Sequence, residues 1–229
     1  MSLFAIGDLH LSFSLDKPMD IFGEEWVDHS EKIKKNWLAN VRETDTVLIT
    51  GDTSWALRLD DAKIDLDWIS RLPGKKIIIK GNHDYWWQTV GKLNGLYSNM
   101  FFLQNNYYPY ENYAICGTRG WTCPNDTYYL RHDEKIYLRE LGRLEMSLQS
   151  AKNDGYNKII VMLHYPPTND KKEPSGFTEI LERYPVEKVV YGHLHGAPYH
   201  TLGLQGKHNE IEYYLTSCDY TNFELVKLK

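Results

Sequence analysis

Acidic, amide and imidazole side chains follow short apolar runs at five places in this 229-residue chain. Such runs predict buried β-strands, and in open α/β sheets the chemistry collects at the carboxyl ends of the strands. The strand-end residues are Asp8 and His10, Asp52, Asn82 and His83, His164, and His193 and His195. In the Asp-X-His and His-X-His pairs, a spacing of two puts both side chains on one face of an extended segment. We therefore expect these residues to meet in a single cluster.

The chemical types in this cluster indicate divalent metal ions. Carboxylates, imidazoles and one amide, without a thiolate, suit Mn²⁺, Fe²⁺ or Zn²⁺ better than Ca²⁺. More ligands are available than one ion can use, and two ions that share a bridging carboxylate would use them all. The candidate ligands are Asp8, His10, Asp52, Asn82, His164, His193 and His195. Ions about 3.5–4 Å apart can clamp a phosphoryl group and generate hydroxide near neutral pH.

The elements that position the first half of this set alternate between strand and helix. Apolar spacing predicts strands at residues 3–6, 46–52 and 76–79, and helices at residues 28–42, 60–72 and 86–96. Ile64, Trp68 and Leu72 should form the buried face of the second helix. The order βαβαβα is typical of a parallel sheet with right-handed crossovers. The irregular segment 11–26 leaves directly from the first motif, so we expect it near the site.

The second half of the chain does not continue the regular alternation of strand and helix. It contains predicted strands at residues 101–103, 113–117, 158–163 and 188–191, and a helix over residues 133–151. Two further strands at residues 211–216 and 223–228 close the chain, and we expect them to be antiparallel. Length and the absence of a linker indicate a single domain over residues 1–229.

Composition narrows the function classes. A hydrophobic fraction of 42% and a charged fraction of 25% are ordinary for a soluble globular protein. The net charge of −5 disfavours nucleic acid as a partner, because phosphate backbones attract Lys and Arg clusters. No apolar run approaches the roughly 20 residues of a membrane span, so no membrane partner is expected. Three cysteines and no signal-like N-terminus favour a reducing cytoplasm.

Five short motifs resemble the signature of the calcineurin-like metallophosphoesterases. They are Gly7-Asp8-Leu9-His10, Gly51-Asp52, Gly81-Asn82-His83-Asp84, His164 and Gly192-His193-Leu194-His195, in the family's order. The resemblance implies a four-layer αββα sandwich, an α/β fold in which helices flank two mixed sheets. It also implies a site at the carboxyl ends of the strands. Residues 85–157 carry no family motif and form a family-variable segment.

The family pattern implies a role for each residue. One metal would take Asp8, His10, Asp52 and His195, and the other Asp52, Asn82, His164 and His193, so that Asp52 bridges both. A metal-bridging hydroxide would attack phosphorus in line. His83 would stabilise the transition state or protonate the leaving oxygen, and Asp84 would orient the His83 imidazole. Asp84 could equally cap the helix predicted from residue 86.

The chain departs from the phosphoprotein phosphatases of this family. Gly51-Asp52 continues as Thr53-Ser54-Trp55, without the phosphate-gripping Arg of that branch. This favours the small bacterial phosphoesterases and a small phosphorylated substrate. Arg119, in a glycine-flanked turn before Trp121, is the best candidate for a phosphate contact, and Trp121 could stack on a leaving group. Arg58 is a weaker candidate.

The leading prediction is a dinuclear metal-dependent phosphoesterase that hydrolyses a phosphomonoester or phosphodiester. One alternative is a nuclease or cyclic-nucleotide phosphodiesterase on the same scaffold, because such branches also use Gly-Asn-His-Asp. Another is a metal-free, non-catalytic binding scaffold. That last alternative predicts missing ligands, and the set here is complete.

Overall fold

The first strand shows how the chain builds two cores at once. In the computed structural model, which describes all 229 residues, β1 spans Leu3–Ile6 and is buried throughout. Phe4 and Ile6 join one hydrophobic cluster, whereas Leu3 and Ala5 point the other way into a second. A strand that is apolar on both faces needs cover on both sides. β1 accordingly lies between a helical layer and a second sheet.

The eleven strands form two mixed sheets. They are β1 (Leu3–Ile6), β2 (Thr46–Ile49), β3 (Lys75–Ile78), β4 (Met100–Phe102), β5 (Tyr108–Tyr110), β6 (Tyr113–Gly117), β7 (Ile159–Met162), β8 (Val186–Tyr191), β9 (Gly206–His208), β10 (Ile211–Leu215) and β11 (Val226–Lys227). The first sheet has the order β11-β1-β2-β3-β4, and the second β5-β6-β7-β8-β10-β9. Inner strands run parallel, and β11, β5 and β9 run antiparallel at the edges.

Helices cover the outer face of each sheet. They are α1 (His29–Asn40), α2 (Leu59–Ser70), α3 (Val90–Leu93), α4 (Asp133–Asn153), α5 (Gly176–Glu182) and α6 (Ala197–His200), with 3₁₀ turns at Met19–Phe22 and Glu24–Trp26. Trp37 of α1 and Leu66 of α2 pack on the first sheet. Leu148 of α4 and Phe177 of α5 pack on the second. Between the sheets lies a third cluster of 13 residues. The predicted αββα sandwich is therefore confirmed.

Two helix predictions need correction. The expected buried face of α2 holds for Trp68, which packs against the first hydrophobic cluster, and for Leu72, which is buried. It is wrong for Ile64, which is 52% exposed, and Ala62, Leu66 and Ile69 are buried instead. The helix is rotated by the carboxylate of Asp65, which is buried where it receives the amide of Phe13 at 2.9 Å and the hydroxyl of Ser54. The helix predicted over residues 86–96 shrinks to the single turn of α3.

The pairing expected for the last two strands is also wrong. β10 runs parallel to β8 in the second sheet, and β11 runs antiparallel to β1 in the first. The chain crosses between the sheets at their shared edge, where the Gly7 amide donates to the Thr216 carbonyl at 2.7 Å and the Cys218 amide to the Gly7 carbonyl at 3.1 Å. This contact brings the strand ends of both sheets together. None of the helices combines the length and the apolar character needed to span a membrane.

Candidate metal centre

The backbone at the strand ends adopts an unusual conformation at four of the candidate ligands. Asp8, His10, Asp52 and His193 all have left-handed backbones, with φ values of 58°, 44°, 48° and 72°. The extended backbone expected for the Asp-X-His and His-X-His pairs is therefore wrong, although their side chains still lie in one cluster. Residues other than glycine seldom adopt this conformation, which costs about 1–3 kcal/mol each and clusters at functional sites. The Asp8 and His10 amides hold the turns by donating to the carbonyls of Gly51 at 3.0 Å and Asp52 at 2.9 Å.

Asp8, His10 and His195 form the first ligand group. Their ligand atoms all lie within 4.8 Å of one another. His195 Nε2 is 3.2 Å from His10 Nε2 and 3.4 Å from Asp8 Oδ1. Asp52 Oδ2 approaches this group at 3.8 Å from His10 Nε2. Two imidazoles and two carboxylates thus surround one point.

Asp52 also belongs to the second group, which contains His164, Asn82 and His193. His164 Nε2 lies 3.5 Å from Asp52 Oδ2 and 2.7 Å from Asn82 Oδ1. His193 Nδ1 lies 3.0 Å from the same Asn82 oxygen. Because Asp52 Oδ2 faces one imidazole from each group, it occupies the position expected of a bridging ligand. The structure therefore brings all seven predicted ligands together.

The tautomer of His164 tests whether this cluster suits a cation. His164 Nδ1 lies 2.9 Å from the Thr50 carbonyl oxygen, which can only accept, so Nδ1 carries the proton. Burial lowers the pKa of His164, so the ring is neutral and Nε2 presents a lone pair. That lone pair faces the Asn82 Oδ1 acceptor at 2.7 Å. Two facing acceptors repel each other unless a cation lies between them, and these residues therefore fit a metal ion.

The charges in the cluster point the same way. Burial, reinforced by the neighbouring Asp8 carboxylate, raises the pKa of Asp52 above its usual value. Burial opposes ionisation of Asp8 and His195 as well. Even so, mutual attraction holds the pKa of Asp8 below its usual range, and Asp8 and Asp219 raise the pKa of His195 to about 10. Protons thus neutralise negative charge that metal ions would otherwise neutralise, and metal binding must release them.

Asp219 belongs to the candidate site, although the sequence did not single it out. Its buried carboxylate receives hydrogen bonds from His195 Nδ1 at 3.0 Å, the Gly196 amide at 2.9 Å and His200 Nε2 at 3.0 Å. A carboxylate behind a ligating imidazole fixes its tautomer and raises its basicity. The signal was present, because Asp219 follows β10 just as the other acidic residues follow their strands.

Comparisons with known proteins agree with this geometry. A sequence model of the calcineurin-like phosphoesterases matches residues 1–197. The chain belongs to the calcineurin-like phosphoesterase family. It is therefore a hydrolase that acts on phosphate esters.

A solved structure shares the fold of this phosphoesterase at low sequence identity. The phosphopantetheinyl hydrolase from Mycobacterium tuberculosis matches with a TM-score of 0.59 and 12% identity, covering 99% of this chain and 95% of the other. A protein of unknown function from Aquifex aeolicus matches with a TM-score of 0.49 and 16% identity, over the same shares of the two chains. No curated protein matches the sequence of this chain.

His83 lies at the edge of the ligand cluster. Its amide donates to Asp52 Oδ1 at 2.8 Å, and its ring packs against Trp55 with centroids 4.4 Å apart. Burial, together with His164 and Lys17, lowers the pKa of His83 to about 4. The ring lines a cavity of about 300 Å³. Met19, Phe22 and Trp26 line the same cavity, so the 11–26 segment does lie beside the site, as expected.

Asp84 does not contact the His83 ring. Its carboxylate accepts the amides of Gly81 at 2.7 Å, Thr53 at 2.9 Å and Ser54 at 3.2 Å, and also Trp86 Nε1 at 3.0 Å. The geometry thus contradicts the expected orienting role. Capping is excluded too, since α3 begins only at Val90. Asp84 instead ties together the two loops that carry Asp52 and Asn82.

The predicted substrate contacts lie outside the ligand cluster. Arg119 Nη2 is 3.5 Å from Glu140 Oε1, and its guanidinium stacks on Trp121 with a separation of 4.4 Å. Trp121 Nε1 donates to Asp133 at 2.9 Å. Arg58 is exposed just before α2 and forms no hydrogen bond or ion pair with the predicted ligands. The structure therefore gives none of these three side chains a hydrogen bond or ion pair with the predicted metal ligands.

A cavity of about 320 Å³ adjoins His193 and His195 on one side of the cluster. The Tyr165 ring lies on His193 with centroids 3.9 Å apart, and Tyr128, Leu194 and Tyr199 complete an apolar wall. The rest of the lining mixes apolar residues such as Pro166 and Leu202 with polar and acidic ones, and none is Lys or Arg. This cavity can hold an organic group beside the metal ligands.

Proposed function

We propose that this phosphoesterase hydrolyses a small phosphate monoester or diester with the help of two divalent metal ions. The observation that carries the proposal is the convergence of the seven candidate donors, in which the unprotonated His164 Nε2 faces the Asn82 oxygen at 2.7 Å. Asp8, His10 and His195 would hold one ion, and Asn82, His164 and His193 the other. Asp52 would bridge the ions, because its Oδ2 faces an imidazole of each group.

The donor set favours Mn²⁺, Fe²⁺ or Zn²⁺, since imidazole nitrogens and carboxylate oxygens are mixed and thiolates are absent. When bound, two such ions polarise the phosphoryl oxygens and activate a water for in-line displacement. The chain's own residues supply the rest. Candidate ligands follow strands of both sheets, so a phosphoryl group would be held where the two sheets meet.

His83 would act on the phosphoryl group as a neutral hydrogen-bond donor. A pKa of about 4 leaves its imidazole uncharged at neutral pH, and nearby cations would keep it so. A neutral ring still has one N–H, which can stabilise charge that develops on a phosphoryl or leaving oxygen. The Asp84 loop contacts support this position indirectly, since they hold the backbone on either side of the centre.

The cavity beside His193 would receive the leaving group. Two acceptors in its lining, Thr168 Oγ1 and Asp170 Oδ1, are buried and have no hydrogen-bond partner. Buried polar atoms are normally paired, so a ligand with N–H or O–H donors fits them. Because the lining has carboxylates but no Lys or Arg, the leaving group should carry no further phosphate at this end.

Purified protein loaded in turn with Mn²⁺, Fe²⁺ and Zn²⁺ should be assayed with aryl phosphate, bis-aryl phosphate, cyclic nucleotides, a phosphopantetheine ester, DNA and RNA. We expect turnover of at least one small ester, and loss of that turnover on chelation and in Asp52→Asn. Absence of turnover with every metal and ester would refute the proposal. Salt-sensitive cleavage of nucleic acid would instead favour a nuclease. A metal content well under one ion per chain would favour a metal-free scaffold.

A further inference from the structure

A second pocket, of about 230 Å³, is lined by cationic side chains and contains none of the metal ligands. Lys80 enters it from the end of β3, Arg119 from the turn after β6, and Arg139 and Arg143 from α4. The remaining lining residues are Trp87, Leu103, Gln104, Thr118 and Glu140. We call this cavity the basic pocket.

A single carboxylate lines the basic pocket and pairs with its three arginines. Glu140 is fully buried, and its Oε1 lies 2.9 Å from Arg143 Nη1, 3.3 Å from Arg139 Nη2 and 3.5 Å from Arg119 Nη2. Its Oε2 accepts the Thr118 hydroxyl at 2.6 Å. Each guanidinium has five N–H donors and no acceptor. Glu140 and the Gln104 amide oxygen, which can accept from Arg143 Nη2 at 3.2 Å, therefore leave many of these donors without a protein partner. The pocket keeps an excess of positive charge.

Two buried donors in the basic pocket have no hydrogen-bond partner at all. They are Arg119 Nε and Trp87 Nε1. Arg119 has a side-chain exposure of only 14%, and the whole Trp87 residue only 9%, so bulk water reaches them poorly. Both groups can donate but cannot accept. Because buried donors are normally paired, the missing partner must be an acceptor that the protein does not supply.

We propose that the basic pocket binds an oxyanion group, either inorganic phosphate or an acidic group of a phosphorylated ligand. Guanidinium groups match phosphate and carboxylate oxygens in pairs, and the Lys80 ammonium adds a further charge. Glu140 would order the three guanidinium groups without filling the pocket.

The basic pocket is joined to the metal centre through the backbone. Lys80 is two residues before Asn82. The Arg119 carbonyl accepts the amides of His164 and Tyr165, both at 3.0 Å. A bound anion would therefore steady the segments that carry one ligand from each sheet. The proposal does not depend on hydrolysis, because its evidence is the pocket's own charge and unpaired donors.

Titration calorimetry with inorganic phosphate tests the proposal on the metal-loaded full chain. We expect two classes of phosphate site, of which one remains after chelation of the metals. Trp87→Phe removes one unpaired donor and Lys80→Gln one charge, and each should weaken the chelation-resistant class about tenfold or more, as loss of a charge-assisted contact does. Lys63→Gln, an exposed lysine paired with Asp60 on α2, is the matched control and should leave both classes unchanged.

Thermal unfolding and metal content show that each variant is folded. A single class of site that chelation abolishes would overturn the proposal, and so would a chelation-resistant class that neither variant weakens. Since the chelated protein is titrated directly, this result stands whether or not any ester is hydrolysed. The source of the anion follows from KM values for phenyl phosphate and carboxyphenyl phosphate. If KM is lower for the carboxylated ester and Lys80→Gln abolishes that difference, the pocket binds an acidic group of the substrate. Equal KM values indicate that it binds free phosphate.

Discussion

Asp219 is the residue whose replacement gives the most discriminating test of the metal centre. Its carboxylate contacts His195 Nδ1 at 3.0 Å and forms no hydrogen bond with any other predicted metal ligand. Asp219→Asn keeps the size of the side chain and removes its charge. The Gly196 amide and His200 now donate hydrogen bonds to the carboxylate, and the new side-chain amide would turn an N–H donor towards one of them. We therefore expect His195 to lose both basicity and a fixed orientation.

The size of the effect follows from this one contact. A hydrogen bond to a charged group contributes about 1.5–3 kcal/mol, and a factor of ten in affinity corresponds to about 1.4 kcal/mol. Asp219→Asn should thus weaken the ion held by His195 about 10- to 100-fold, in line with other partners of metal-bound histidines. The ion held by Asn82, His164 and His193 should keep its affinity.

Competition with a fluorescent chelator measures the two dissociation constants separately. The control is Asp45→Asn, since Asp45 is also a buried carboxylate but accepts the amides of Ser2 at 2.7 Å and Arg42 at 2.9 Å, before β2 begins. The control should lower stability and leave both metal affinities unchanged. An equal loss of both ions in Asp219→Asn, or no loss of either, would refute the assignment of His195 to one ion only.

Three further predictions concern other residues of the site and core. His83→Ala should keep both ions but lower kcat by about 10²- to 10⁴-fold, as for loss of a positioned donor; loss of the ions on metal analysis would make His83 a ligand. Asp52→Asn should weaken both ions in the chelator assay, whereas His10→Ala should weaken mainly one, and selective loss in Asp52→Asn would contradict the bridge. Burial lowers the pKa of Lys76 to about 8 in the folded protein, whereas the pKa in the unfolded chain is near 10.4. Between these two values only the unfolded chain holds the proton, so the free energy of unfolding rises with pH. Lys76→Met should therefore raise the free energy of unfolding by about 1–2 kcal/mol at pH 7, after loss of the Lys76 hydrogen bonds, and this gain should shrink up to pH 10 in denaturant titrations; a gain independent of pH would show that burial of the charge is not the cause.

The clustering of the candidate ligands was predictable because each one directly follows an apolar run. Parallel strands bring their carboxyl ends to one edge, so Asp8, Asp52 and Asn82 had to be neighbours once the strands were recognised. The left-handed backbones of Asp8 and His10 were not predictable from spacing. They depend on amide contacts to Gly51 and Asp52, which are more than 40 residues away in the chain.

Long-range packing explains the predictions that failed. The rotation of α2 depends on Asp65, whose partners Phe13 and Ser54 lie outside the helix, so periodicity alone placed Ile64 on the wrong face. The expected contact between Asp84 and His83 failed because backbone amides of three loop residues compete for the same carboxylate. The contact of Asp219 with His195 spans 24 residues and depends on the pairing of β10 beside β8, which the sequence did not predict.

The metal centre draws its ligands from both sheets, and this has a consequence for how the protein matures. Asp8, His10, Asp52 and Asn82 follow strands of the first sheet, whereas the three remaining histidines and Asp219 follow strands of the second. During synthesis the early half of the chain can offer only an incomplete set of donors. If the ions bind as proposed, tight metal capture would await the folding of the later half, and loading with metal would report that both halves have docked.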